Sequence, residues 1–117
     1  ARIFVCPNAD RAQVVPAARF AMAAYLNVPV YRAFHEWLGR GELLAEHWAQ
    51  WDAGDRKGSL EKIPESLVDE LIVNGTPEEC YAHIERYVAN GVTTPALQIM
   101  NFGGFDVRQA VRDLAPR

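Results

Sequence analysis

Three short apolar runs constrain the fold of this chain more than any other feature. They occupy residues 3–6, 71–73 and 94–100, and the first is an uninterrupted apolar stretch that ends at Pro7. Such a run is typical of a parallel strand that is buried on both faces. Each run is followed by segments with helical periodicity, and this alternation predicts parallel strands joined by right-handed crossovers. The predicted fold class is α/β, with three short parallel strands, flanking helices and a high helix content.

The segments between the strands carry helix signals. Helical spacing of apolar residues predicts helices over residues 13–26, 30–38, 41–51, 64–70, 77–89 and 107–114. The strongest local signal begins at Thr76, which can cap a helix, with Pro77 in the first helical position and Glu79 completing a capping box. Pro16 either falls in the first turn of a helix that starts late or kinks that helix.

The stretch between the first two strands is too long for a single crossover. We interpret residues 28–62 as a helical insertion with a loop, within a single domain that covers residues 1–117. The polar, glycine-punctuated segment 52–59 is predicted to be a mobile loop.

Three apolar parallel strands leave two open edges, which are aggregation hazards unless they are covered. A complete (β/α)8 barrel needs roughly 250 residues, so this chain would supply less than half of one. Three explanations stay open. The remaining strands lie outside this chain, copies of the chain assemble, or the piece folds differently on its own with its helices dominating.

Charge and cysteine content exclude several functional classes. The 12 basic and 15 acidic residues give a net charge of −3, without the basic patch of a nucleic-acid binder. No apolar run reaches the roughly 20 residues of a membrane span. We expect Cys6 and Cys80 to be unpaired thiols, as in a reducing cytoplasm. His35, His47 and His83 lack a metal-ligand spacing, and no metal site is predicted.

The run of residues 63–80, followed by a helix and then by Gly91-Val92-Thr93-Thr94-Pro95, carries a family resemblance. It resembles the C-terminal region of luciferase-like monooxygenases, especially the deazaflavin-dependent oxidoreductases. The resemblance implies the last part of a TIM-type barrel that uses coenzyme F-420 or FMN for hydride transfer or monooxygenation. In that family much of the cofactor site comes from earlier strands. The resemblance therefore implies a chain that is inactive alone and need not hold the cofactor by itself. No catalytic residue is assigned.

Two segments after predicted strands are candidates for cofactor binding. Asn74, Gly75 and Thr76 open a helix whose free N–H groups could hold a phosphate. Gly103 and Gly104 would let the backbone approach an anion closely. In the plainer interpretation Thr76 only caps its helix and the glycines only turn the chain.

Other side chains carry weaker functional alternatives. Arg56 and Lys57 are either phosphate contacts or solvated loop charges. Glu46, beside Trp48 and Trp51, could line a substrate pocket, although tryptophans at helical spacing more often pack in a core or an interface.

A different function is also open. The chain could be a small helical interaction or assembly module that uses Tyr31, Trp37, Trp48 and Trp51 as anchors, because aromatic residues are enriched in interfaces. The expected partners are copies of the same chain or the N-terminal part of a barrel, with no nucleic acid and no membrane.

Overall fold

The computed structural model describes residues 1–117 as three strands and seven helices. In chain order these are β1 (Arg2–Cys6), α1 (Arg11–Leu26), α2 (Pro29–Trp37), α3 (Gly41–Asp52), α4 (Arg56–Glu61), α5 (Glu65–Leu71), β2 (Val73–Asn74), α6 (Pro77–Ala89), β3 (Ala96–Ile99) and α7 (Val107–Asp113). The chain divides into two compact units. The first comprises Ala1–Val14 and Asp69–Arg117, and the second comprises Val15–Val68.

The first unit is built on a parallel three-stranded sheet. β1 pairs with β2 through Val5 opposite Val73, and with β3 through four residue pairs that include Phe4 opposite Gln98. The prediction of three side-by-side parallel strands is confirmed. The bounds of the second strand were wrong, because Leu71, a good helix former, closes the last turn of α5 and leaves only Val73 and Asn74 to pair.

The strand order of this sheet is β2-β1-β3, with β1 in the middle. Successive βα units of a (β/α)8 barrel place each strand beside the next one in the chain. Here β2 and β3 are instead the two outer strands, separated by β1. The sheet is therefore open, and its order differs from that of three successive barrel strands.

One face of the sheet carries the core of the first unit. Ile3 and Val5 of β1 and Val73 of β2 pack with Cys80 and Ile84 of α6, and the cluster also includes Leu114, Tyr87, Leu97 and Ile99. Alternate residues of a strand point to the same face, which explains why Ile3 and Val5 are buried together. The α6 residues follow helical spacing, so a single helix face covers the sheet.

The second unit consists only of helices. Trp48 of α3 is 3% exposed, and its indole N–H donates a hydrogen bond to the backbone oxygen of Leu26 at 3.0 Å. The buried His47 ring lies 2.6 Å from the Ser59 carbonyl oxygen through Nδ1 and 2.9 Å from Asn27 Nδ2 through Nε2. Since a carbonyl can only accept, Nδ1 carries the proton and Nε2 accepts from the Asn27 amide.

One local prediction in the second unit needs correction, and one of the two alternatives for Pro16 is excluded. The segment predicted as a mobile loop contains α4, which Asp55 caps by accepting a hydrogen bond from the Gly58 N–H at 2.9 Å. An Asp cap outweighs the low helix propensity of Gly58 here. In addition, α1 begins at Arg11, so Pro16 lies inside the helix and beyond its first turn.

Candidate functional site

Three connecting segments meet at the carboxyl edge of the sheet. Because the strands are parallel, the ends of β1 at Cys6, β2 at Asn74 and β3 at Ile99 lie along one edge. This edge is where α/β proteins commonly bind ligands. The sequence candidates lie on opposite sides of β1, with Asn74, Gly75 and Thr76 after β2 and the two glycines after β3. Two strand spacings of about 4.8 Å each separate β2 from β3.

A polar network fixes the side chain of Asn74. Its Nδ2 donates to Asp69 Oδ1 at 3.0 Å and to the Ile72 carbonyl at 2.9 Å, while its Oδ1 accepts from Arg11 Nη1 at 3.4 Å. Arg11 also donates to Asp69 through both terminal guanidinium nitrogens, from Nη1 to Oδ1 at 3.0 Å and from Nη2 to Oδ2 at 3.3 Å. The pair is half exposed, so it contributes about 0–1 kcal/mol to stability. Its effect is to orient Asn74.

The capping box at the start of α6 is confirmed. The Thr76 hydroxyl accepts from the Glu79 N–H at 3.2 Å, and the Thr76 N–H donates to Glu79 Oε2 at 2.8 Å. Gly75 has a φ of +122°, and a Cβ atom at this position would lie 2.5 Å from Glu79 Oε2. The chain's own carboxylate therefore occupies the place where an external anion would meet the first N–H groups of α6.

A cavity of about 570 Å³ lies beside this helix start. That volume falls within the range of small-molecule sites. Its lining includes Asn74, Gly75 and Thr76, so the structure gathers the first group of sequence candidates, whereas Gly103 and Gly104 do not line it. Its charged and titratable lining residues are Arg11, Asp69, Glu79, His83 and Arg86.

His83 and Arg86 join the site although sequence reasoning did not place them there. Glu79, His83 and Arg86 follow one another at intervals of four and three residues, which puts them on one face of α6. The His83 ring stacks on Tyr87 with centroids 5.5 Å apart and an angle of 9° between the planes. Partial burial, and then the charge of Arg86, lower the pKa of His83. The imidazole is therefore neutral near pH 7, since the ordinary value is about 6.5.

The loop after β3 is tied to the end of β1. Asn8 Nδ2 donates to the Phe102 carbonyl at 2.9 Å, and Cys6 Sγ lies 3.8 Å from the same oxygen. Gly103 has a φ of +93°, and a Cβ atom there would overlap Asn8 Nδ2 and lie 2.5 Å from Gln13 Oε1. Gly104, with a φ of +70°, faces open space. The missing Cβ of Gly103 therefore makes room for the side chains of Asn8 and Gln13, which belong to the chain itself.

The cysteines lie under this edge as buried free thiols. Burial raises the pKa of Cys6, and burial together with the nearby Cys6 and Glu79 raises the pKa of Cys80 to about 12. Thiols with raised pKa values are poor nucleophiles. No group of three or more His, Cys, Asp or Glu side chains is arranged to hold a metal ion.

Comparison with known proteins places these features in a family. The sequence model of the luciferase-like monooxygenases matches residues 1–94. No curated protein and no solved structure matches the chain. None of the helices has the length and apolar character needed to cross a bilayer. The match covers all of the first two strands and the cavity-lining residues, and the chain belongs to the luciferase-like monooxygenase family.

Proposed function

We propose that this chain forms part of an oxidoreductase that uses coenzyme F-420 or FMN for hydride transfer or monooxygenation. Family membership supports the general class of oxidoreductase or monooxygenase. The observation that carries the finer proposal is the cavity at the carboxyl edge, in which Asn74, Thr76, His83 and Arg86 surround space for a ligand. FMN and coenzyme F-420 both carry a phosphate, which is the group that these donors suit.

The lining of the cavity fits the anionic end of such a cofactor. The Arg86 side chain is exposed and brings positive charge to His83, and charge-assisted hydrogen bonds from Arg to phosphate are strong. Glu79 stays on the N–H of Thr76, so the phosphate would bind to the side of α6 rather than on its axis. When bound, the cofactor supplies the hydride chemistry, while Arg86 and the neutral His83 hold and orient its phosphate.

The same lining offers no apolar slot for the ring system of a flavin. Seven of its nine lining residues, from Arg11 to Arg86, have polar side chains, and the other two are Ala9 and Gly75. We therefore propose that the ring binds to parts of the enzyme outside this chain and that the chain is inactive alone. The buried free thiols of Cys6 and Cys80 support a reducing, cytoplasmic location.

We further propose that residues 1–117 form one domain, the C-terminal part of a (β/α)8 barrel, with residues 28–62 as a helical insertion. The open edges at β2 and β3 support this proposal, because further parallel strands would cover them. In a barrel β2 would lie between β1 and β3, so the pairing between β1 and β3 seen here would have to be broken. Sequencing the coding region upstream of Ala1 tests the proposal. Five further βα units in frame would support it, and an immediate start codon would overturn it.

Binding measurements with two matched ligands test the phosphate site. FMN and riboflavin differ by the phosphate alone, so the chain should bind FMN more tightly. Arg86→Gln should weaken FMN binding about fivefold, as expected for one exposed charge contact. Riboflavin, whose ring has no site on this chain, should bind weakly to the wild type and to the variant alike. Arg108→Gln on α7 provides the control for net charge. Equal affinities for the two ligands, or equal effects of the two substitutions, would contradict the assignment.

An assembly module is the second candidate function, and the exposed face of α2 favours it. Trp37 is 78% exposed, Phe34 is 49% exposed and their rings stack with centroids 6.0 Å apart. Tyr31 is also exposed, whereas Trp48 is buried in the core, so the prediction of Trp48 as an anchor was wrong. The other predicted anchor, Trp51, is half-buried beneath Arg56.

For this second function we propose that the α2 face binds another copy of the chain. Light scattering of the wild type and of Trp37→Ser tests it, because a dimer that uses this face should dissociate in the variant. A monomer at every concentration of the wild type would exclude it.

A further inference from the structure

A second cavity lies in the helical unit. It has a volume of about 500 Å³ and lies between α1 and the α3–α4 segment. We call it the alanine groove and define it by Phe20, Ala21, Ala24, Trp51 and Leu60. Ala23, Arg56 and Lys57 complete its lining. Its size is that of a small-molecule site rather than of a packing defect.

The sequence of α1 explains the shape of the groove. Ala21 and Ala24 lie three residues apart, on the same face of the helix, and their small side chains leave a shallow floor. Phe20, which is 74% exposed, rises beside them, and the half-buried Trp51 and Leu60 form the opposite wall. The groove thus has aromatic walls and an aliphatic floor without polar side chains.

Positive charge collects along one margin of this groove. The Arg56 guanidinium lies over the Trp51 ring at 4.1 Å from its centroid. Lys57 is exposed and forms no ion pair. Two neighbouring acids have other partners, because Asp55 caps α4 through the Gly58 N–H and Asp52 pairs with Arg32 at 3.0 Å. Glu61, four residues after Lys57 on α4, forms no ion pair with it, so the margin presents two cationic side chains that are not held in salt bridges.

We propose that the alanine groove binds a hydrophobic monocarboxylate with an aromatic body. The aromatic body would contact Phe20 and Trp51, and pairs of aromatic rings are favoured beyond the area that they bury. The carboxylate would reach Lys57 and Arg56, which complement a single negative charge better than a neutral or cationic group. The flat floor at Ala21 and Ala24 admits a planar ring and excludes a bulkier folded one.

Isothermal titration of the full chain with naphthoate tests the proposal. Naphthalenemethanol and naphthylmethylammonium have the same ring system with a neutral and a cationic head, and they should bind more weakly in that order. Lys57→Gln should weaken naphthoate binding about fivefold, the value for one exposed charge pair, with little effect on the neutral alcohol. Lys62→Gln is the matched control, because Lys62 pairs with Glu46 outside the groove. Added salt should reduce the difference between naphthoate and the alcohol.

Filling the groove provides an independent variant. Ala24 is exposed and helical, so Ala24→Leu should fold while it blocks the floor. Circular dichroism confirms folding, and naphthoate binding should fall more than tenfold. Equal binding of the three probes, or full binding by Ala24→Leu, would overturn the proposal. The proposal would also be overturned if the chain bound no naphthoate and instead self-associated through the groove, with Ala24→Leu abolishing the self-association.

Discussion

Replacing each of the paired glycines after β3 by alanine separates two explanations for their presence. Both have positive φ angles, +93° at Gly103 and +70° at Gly104. Only Gly103 lies against other side chains, those of Asn8 and Gln13. If the two glycines only allow a ligand to approach the backbone, both substitutions should lower the free energy of unfolding of the ligand-free protein by the same amount. If Gly103 serves the packing of the chain itself, its substitution should destabilise the fold more.

The structure gives the expected magnitudes. An alanine forced into the left-handed region costs about 1–2 kcal/mol, and this is the whole expected cost for Gly104→Ala. Gly103→Ala carries the same cost and also displaces Asn8 from the Phe102 carbonyl, to which it donates at 2.9 Å. Loss of that hydrogen bond adds about 1 kcal/mol. The total for Gly103→Ala is therefore about 2–3 kcal/mol.

Urea unfolding followed by circular dichroism measures these differences. A double-mutant cycle with Asn8→Ala isolates the contact, because removal of the Asn8 amide should bring the cost of Gly103→Ala to within about 0.5 kcal/mol of that of Gly104→Ala. A Gly104→Ala variant at least as unstable as Gly103→Ala would refute the reasoning. So would an unchanged difference in the Asn8→Ala background.

Three further predictions concern stability. Thr76→Ala removes the cap of α6 and should lower the free energy of unfolding by about 1 kcal/mol in urea titrations. Leu67→Ala, at a fully buried site, should cost about 2–5 kcal/mol, whereas Leu43→Ala at an exposed site should cost less than about 1 kcal/mol. Burial lowers the pKa of His47, so unfolding takes up a proton below the ordinary value of about 6.5. The free energy of unfolding should therefore decrease as the pH falls below about 6.5 and be restored above it. His47→Gln should reduce this dependence in denaturation curves measured across that range, and the lowered pKa values of His35 and His83 should preserve the rest.

The two cavities differ in what they can recognise. The polar cavity along α6 contains paired charges and the neutral His83, so it suits a ligand that is held by several hydrogen bonds. The alanine groove has apolar walls with cations at its margin, so it suits a ligand with separate apolar and anionic parts. The titrations above distinguish them, because Arg86→Gln and Lys57→Gln should each affect only one ligand.

Local features of this protein were readable from its sequence. The capping box of Thr76 and Glu79 is present as predicted, and the cap of α7 by Asp106 is equally local. Caps depend on residues two or three positions apart, so a short window contains all the interacting groups. The apolar runs likewise predicted three parallel strands. Only β1 is mostly buried, however, and β3 alternates between exposed and half-buried residues. The cap at Asp55 was equally local, but the glycines around it favoured a loop prediction.

Only the tertiary structure decided which segments meet. The order β2-β1-β3 depends on which strands share a boundary, and no local window encodes that choice. Arg11 reaches Asp69 across 58 residues of sequence, and Asn8 reaches Phe102 across 94. These contacts form the edge where the candidate site lies. Long-range pairings depend on the free energy of burying whole faces against one another, after the entropy of closing the intervening chain has been offset.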